Sequence, residues 1–216
     1  VKLCGMMRPE DVAAAVELGA DFVGVIFAGG PRVLTVERAR RVLEPARGRV
    51  RAVGVFGRAD AAEIGAAALA AGIDVVQLHA DPLPGDVTAM RAAFGGPVWA
   101  AARISGAALG GAAALYDVAD AVLLDARVDG ALGGTGHTLP WASLRDDVQR
   151  QAGRGALTVL AGGLRPENVA TAIAAVRPDI VDASSGVEHE VGVKDHARMR
   201  AFIAAARRGA APGDED

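Results

Sequence analysis

Three groups able to do chemistry stand at the ends of short apolar runs in this sequence. A thiol, Cys4, closes KLC, a carboxylate, Asp125, closes AVLLD, and a guanidinium, Arg32, follows FVGVIF by a few residues. Two more runs end in small residues: 157–161 lead into Gly162-Gly163, and 179–183 into Ser184-Ser185-Gly186. Glycines let a backbone come close to a ligand, and free N–H groups beside a helix start attract an anion. Two such turns after neighbouring parallel strands form a cup for one phosphate; the plainer alternative is a pair of tight turns.

Cys4 is either an ordinary buried thiol or, at a strand end before a glycine, a base or nucleophile. With an unperturbed pKa near ~8.5 a thiol is only a few per cent thiolate at neutral pH, so a catalytic Cys4 needs a positive neighbour or helix-end amides. Asp125 either closes its strand through an Asx turn or ends an inward-facing row that begins with Leu123, where a carboxylate suits a general acid. Arg32 is a solvated loop charge or a fork for a planar carboxylate. His79 could carry a proton or simply be a satisfied strand-end histidine. Trp99 and Trp141 read as packing residues.

The elements that must position these groups follow a regular pattern. Apolar runs recur at 1–4, 22–27, 50–56, 74–78, 98–104, 119–124, 157–161 and 179–183. They are continuous and β-branched, as parallel strands covered on both faces should be. Between them lie Ala-rich helical stretches at 9–18, 36–43, 60–71, 84–94, 107–118, 140–152, 166–176 and 194–207. Thr35 and Asp60 stand as N-caps, prolines sit at or near first helical positions, and Gly19 and Gly72 fall where helices should stop. Eight strands and eight helices in strict alternation predict an α/β fold, a single-domain (β/α)8 TIM barrel over residues 1–208. Two halves of a doubly wound sheet are the alternative. Residues 209–216 read as a disordered acidic tail. In a (β/α)8 barrel the chemistry gathers at the C-terminal strand ends, and the phosphate site commonly follows strands seven and eight.

Composition bounds the rest. At 216 residues such a domain buries roughly 70% of its unfolded surface and needs no staples. One cysteine excludes an internal disulfide and fits a reducing compartment. A formal charge of -3 with a pI of about 5.8 offers no footprint for nucleic acid. No apolar run is long enough to span a bilayer, and the opening VKLCG lacks the zones of a secretory signal. The expectation is a cytoplasmic globule, monomer or homodimer, that binds a small phosphorylated molecule.

Taken together and in order, these residues resemble the phosphoribosylanthranilate isomerases, barrel enzymes of tryptophan biosynthesis. The resemblance runs over nearly the whole chain. It includes KLCG with Pro9-Glu10-Asp11, GADFVGVIF with Pro31-Arg32, VGVF, VVQLH and LLD. It continues through GGTG (133–136), AGGLRPENV and VDASSGVE followed by GVKD. It implies an Amadori rearrangement of N-(5-phosphoribosyl)anthranilate, with no metal or redox cofactor. Asp125 would be the general acid at the furanose oxygen and Cys4 the general base at C2. Arg32 would hold the anthranilate carboxylate, and Gly162, Gly163, Ser184, Ser185 and Gly186 would line the phosphate site. The pattern is departed from at Ala80, at Leu139-Pro140-Trp141, at Ala28-Gly29-Gly30, at Ala100 and at Val191. A histidine-pathway or dual-substrate sugar-phosphate isomerase, a chemistry that uses aspartates at both strand ends, and a silent phosphate-binding barrel are the rival readings. Cys4 speaks against the first, and the presence of both Cys4 and Asp125 against the second.

Strand geometry adds one expectation. Lys2 shares a face with Cys4, and Asp182 with Ser184, because side chains alternate with period two. If strands one and eight are neighbours, Lys2 and Asp182 meet as an ion pair beneath the site, since either one buried alone would cost several kcal/mol. Lys2 would then also favour the Cys4 thiolate.

Overall fold

The apolar runs form a ring of eight parallel strands. A computed structural model describes residues 1–104, 108–126 and 139–210. In it β1 (Lys2–Leu3), β2 (Phe22–Ile26), β3 (Arg51–Phe56) and β4 (Val75–Leu78) are followed by β5 (Val98–Ile104), β6 (Ala121–Ala126), β7 (Leu157–Leu160) and β8 (Ile180–Ala183). Each pairs with its neighbour, and β8 returns to β1, so the sheet closes into a barrel. Continuous hydrophobicity has the cause expected of it: both faces are covered. Val122 and Leu124 pack outward with the helices, whereas Leu123 joins Phe22, Val53, Val75, Trp99 and Val159 inside the ring. Trp99 fills that interior edge-to-face against Phe22, with ring centroids 4.9 Å apart.

The helices follow the stop and start signals. Thr35 accepts a hydrogen bond from the Arg38 N–H and caps α2 (Val36–Val42), and Asp60 does the same with Ala62 for α3 (Ala61–Ala71). Gly72 ends α3 in the left-handed conformation that favours glycine. The other helices are α1 (Pro9–Glu17), α4 (Pro84–Phe94), α5 (Trp141–Gln151), α6 (Val169–Val176) and α7 (His196–Ala210).

Four expectations need correction. The segment expected as a helix at 107–118 is, in its described part, a 3-10 stretch over Gly110–Asp117. Two adjacent glycines at its start, each costing about 1 kcal/mol in an α-helix, deny it a firm first turn. The helix expected at 166 begins at Val169, because Pro166, Glu167 and Asn168 form a turn instead. The helix expected from Lys194 begins at His196, because Lys194 belongs to a hairpin not read from the sequence, β9 (Glu188–Glu190) with β10 (Val193–Lys194). That last helix also runs on to Ala210, past the expected boundary at 208; the rest of the expected tail, 211–216, lies outside the described residues, as does GGTG.

The barrel closes where Lys2 stands opposite Asp182. Lys2 has no exposed surface, and its Nζ donates to Asp182 Oδ2 at 2.7 Å. Burial works against the Lys2 ammonium, but Asp182 and Cys4 outweigh it and hold its pKa above the ordinary lysine value. Removing one partner of such a pair strands the other. Lys2→Met should therefore cost about 3–5 kcal/mol in urea unfolding, with most of the loss restored in Lys2→Met/Asp182→Leu. A loss below ~1 kcal/mol, the scale of a surface ion pair, would contradict this account of closure.

Candidate active site

All eight residues singled out as site candidates line one cavity of about 410 Å³ at the C-terminal ends of the strands: Cys4, Arg32, Asp125, Gly162, Gly163, Ser184, Ser185 and Gly186. Around the rim they form a continuous arc. Asp125 comes from β6, the glycine pair follows β7, the serines follow β8, Cys4 follows β1, and Arg32 lies beyond β2. Gln77, His79, Leu123 and Asp182 also line the cavity. The order follows directly from strand adjacency in a closed barrel.

Asp125 sits in β6 as expected, inward beyond Leu123. Burial pushes its carboxyl up to about 6, and the negative charge of Asp182 adds to this. A hydrogen bond from the Ala126 backbone and the charges of Lys2 and Arg103 pull the other way without winning. Arg103 stands directly opposite Asp125 across β5 and β6 and is itself forked onto Asp81. His79 places Nε2 3.7 Å from Asp125 Oδ2, and its Nδ1 meets the Gln77 amide at 3.0 Å. A carboxyl with this pKa can both give and retake a proton near neutral pH.

Cys4 is buried at the end of β1, its backbone N–H bonded to the Ala183 carbonyl. The positive neighbours expected of a reactive thiol are present, since Lys2 and Lys194 both act to lower its pKa. Burial nevertheless dominates and, with Asp182, holds the Cys4 thiol above its ordinary value in the protein alone. The expectation that Lys2 would favour the thiolate has the right sign, but desolvation is the larger effect.

The turns after β7 and β8 are built differently from each other. Gly162 has φ +83°, and a Cβ there would meet Asp125 Oδ1 and the Ala126 nitrogen, both at 2.9 Å, so only glycine lets this turn pass beside the carboxyl. Asn168 then ties the turn down, accepting from the Arg165 N–H at 2.8 Å and donating to the Gly163 carbonyl at 3.0 Å. After β8 the chain makes a 3-10 turn over Ser185–Val187. A side chain at Gly186 would run into the Leu164 carbonyl, so the two turns touch. Ser184 Oγ is buried with no hydrogen-bond partner among the described residues.

Two charged residues of this wall were not assigned a role from sequence. Glu188 and Lys194 face each other across the β9–β10 hairpin, and Glu188 takes Arg32 in a two-point grip at 2.7 and 2.6 Å. The signal was available: charges at 188 and 194 flank Val191-Gly192, a hairpin spacing. Among the described residues no cluster of three His, Cys, Asp or Glu side chains could hold a metal ion, and no helix is long and apolar enough to cross a membrane.

Comparison with known proteins adds four findings. A family model described as N-(5'phosphoribosyl)anthranilate (PRA) isomerase matches residues 1–205. An N-(5'-phosphoribosyl)anthranilate isomerase of Pseudomonas fluorescens (strain Pf0-1) is 41% identical over 208 residues, 95% of this chain and 97% of that protein. The crystal structure of phosphoribosyl anthranilate isomerase from Thermotoga maritima superposes with a TM-score of 0.85 at 33% identity, covering 96% of this chain and 98% of that one. A further isomerase structure, in complex with reduced 1-(o-carboxyphenylamino)-1-deoxyribulose 5-phosphate, has a TM-score of 0.82 at 32% identity, covering 96% and 97%.

The raised pKa of Asp125 carries a stability consequence whose sign is fixed. A carboxyl near pKa 6 folded and 3.8 unfolded holds more protons in the native state, so its burial costs stability once pH rises above the unfolded value. The penalty grows between about pH 4 and 6 and is complete above 6, at ~1–3 kcal/mol. Asp125→Asn, which keeps the shape and sheds the charge, should unfold at higher denaturant concentration than the wild type at pH 7.5, with the gap closing towards pH 4. An equal or lower midpoint at pH 7.5 would contradict the burial penalty.

Proposed function

The chain belongs to the N-(5'-phosphoribosyl)anthranilate isomerase family, isomerases of tryptophan biosynthesis, and on that basis we propose that it performs an Amadori rearrangement with Asp125 as general acid and Cys4 as general base. The substrate of this reading is N-(5-phosphoribosyl)anthranilate and the product 1-(2-carboxyphenylamino)-1-deoxy-D-ribulose 5-phosphate. The observation that carries it is the arc of strand ends: acid on β6, glycine and serine turns after β7 and β8, thiol after β1, all on one cavity. A phosphate held by the middle of that arc leaves the sugar ring reaching towards an acid on one flank and a base on the other.

The reaction divides into proton movements that these residues can make. Asp125, protonated, gives its proton to the furanose ring oxygen; the C1–O bond breaks, and the nitrogen lone pair forms a cationic Schiff base. With a pKa of about 6 the acid form is about a tenth of the population at pH 7. Cys4 as thiolate then takes the proton from C2, and the electron pair flows to neutralise the nitrogen. The resulting enol shifts a proton from its oxygen to C1, giving the ketone. No oxidant, reductant or metal enters this balance.

The buried thiol needs help to ionise, and the ring-opened substrate supplies it. The Schiff base carries a positive charge next to the carbon whose proton Cys4 removes, which adds to Lys2 and Lys194 and favours the thiolate at the step that requires it, the thiol proton passing through solvent to the Asp125 carboxylate left by ring opening and so restoring the acid. In this reading the amides around Gly162-Gly163 and Ser185-Gly186, with the Ser184 hydroxyl, take the phosphate, which suits Gly-rich backbone approaching an anion. Arg32 takes the anthranilate carboxylate. The related complex with reduced 1-(o-carboxyphenylamino)-1-deoxyribulose 5-phosphate supports a ligand of this class in a cavity of this shape.

An anthranilate-fluorescence assay with freshly generated substrate tests the assignment. Asp125→Asn and Cys4→Ser should each lower kcat by about 10²–10⁴-fold, while the reduced product binds within a few-fold of wild type. Near-normal turnover by Asp125→Asn would remove it from the acid role. A fully active Cys4→Ser would move the base elsewhere, with His79 the next group to test.

A further inference from the structure

The Arg32 guanidinium makes its two hydrogen bonds through one edge. Nε donates to Glu188 Oε1 at 2.7 Å and Nη2 to Glu188 Oε2 at 2.6 Å. A guanidinium has two edges suited to a carboxylate, the side edge formed by Nε and Nη2 and the end edge formed by Nη1 and Nη2. Glu188 occupies the first and leaves the second, and Arg32 lines the cavity. The pairing orients the cation without using up its capacity for another carboxylate.

Glu188 is in turn held. Lys194, with no exposed side-chain surface, donates to Glu188 Oε1 at 2.9 Å and to the Ser184 carbonyl at 3.0 Å. The hairpin register sets Lys194 directly opposite Glu188. The Gly192 N–H lies 3.4 Å from the same Oε1. On the other side the Arg32 stem passes over Gly5, whose φ is +72°. A Cβ at Gly5 would meet Arg32 Cδ and Ser184 Oγ, each at 2.8 Å. Stem and head of Arg32 are therefore both constrained, by the turn after β1 beneath and by the hairpin alongside. Two cations and one anion leave this wall with a single net positive charge, suited to a ligand carboxylate.

We propose that Glu188, seated by Lys194, is a positioning residue that presents the end edge of Arg32 to the aryl carboxylate of the substrate and so sets selectivity for a carboxylate-bearing amine. This rests on the reading of Arg32 given above. A side chain with Arg's rotamer freedom loses much of its binding energy in being ordered, and fixing it beforehand removes that cost. The selectivity then belongs to the pair: Arg32 supplies the charge and Glu188 its direction.

The test is a two-by-two comparison of protein and ligand by calorimetry. The ligands are reduced 1-(o-carboxyphenylamino)-1-deoxyribulose 5-phosphate and the same compound lacking the carboxyl group. Wild type should prefer the carboxylate form by about tenfold or more, and Glu188→Gln should lose most of that preference while binding the descarboxy ligand as before. Glu188→Gln leaves Lys194 buried without its anion, so Glu188→Gln/Lys194→Met is measured alongside and should show the same lost preference. If both ligands weaken equally in these variants, Glu188 serves only the fold of the wall and the proposal is wrong. If wild type itself shows no preference, Arg32 does not read the carboxylate, and the proposal falls with that subsite. The isomerase reading would still stand or fall separately, on wild-type turnover.

Discussion

The first and last strands of the barrel meet through a buried ion pair, and the position of nearly every group in the cavity depends on that meeting. Lys2 and Asp182 stand opposite each other where β1 and β8 close the ring. A slip of one residue at this seam would turn Lys2 outward into the apolar layer and invert the faces of β1 against β8. The same seam sets Cys4 beside the Ser184 turn. Hydrophobic burial would accept several registers of so short a strand. A charge that must find its partner accepts one.

The pair also sets the electrostatics above it. Asp182 raises both Asp125 and Cys4, Lys2 lowers both, and burial outweighs the remainder, so in the protein alone acid and base are both biased towards their neutral forms. For the proposed reaction this is a coherent resting state, because the ring-opened substrate would bring a cation beside Cys4 in mid-reaction. In the proposed reaction the protonated fraction of Asp125 would serve as the acid, and Cys4 would ionise when the positive charge arrives. The small-residue turns after β7 and β8 stand between Asp125 and Cys4, so a phosphate held there as proposed would leave the reacting carbons to other strands. The division of labour follows from the closed ring: adjacent strand ends supply adjacent parts of one ligand.

How much of this was legible in the sequence depended on how local the cause was. Asp125 could be read as inward because alternation from Leu123 is a two-residue rule. Gly162-Gly163 and Ser184-Ser185-Gly186 stood out because their small side chains break an apolar run. The Lys2–Asp182 pair was reachable because barrel topology supplied the neighbour. By contrast, the Glu188–Lys194 hairpin came between a strand and a helix, and seven residues of charge and turn do not outweigh the expectation that a helix follows. The 3-10 form of Gly110–Asp117 was hidden by its alanines, which favour a helix as composition while the glycines ahead of them deny it a start. The net direction of the Cys4 pKa was out of reach for a different reason. Sequence names the charged neighbours, but the extent of burial, which decides the sign, belongs to the folded packing.

The central claim is that the folded barrel tunes one buried carboxyl to act as an acid at neutral pH. The most direct measurement is the titration of the Asp125 side-chain carbon by 13C NMR in the ligand-free protein, with Asp125→Asn to assign the signal. The account predicts a midpoint near pH 6. A midpoint at the ordinary aspartate value, about 3.9, would mean that Asp125 is ionised throughout the working range, and the acid would have to be sought elsewhere.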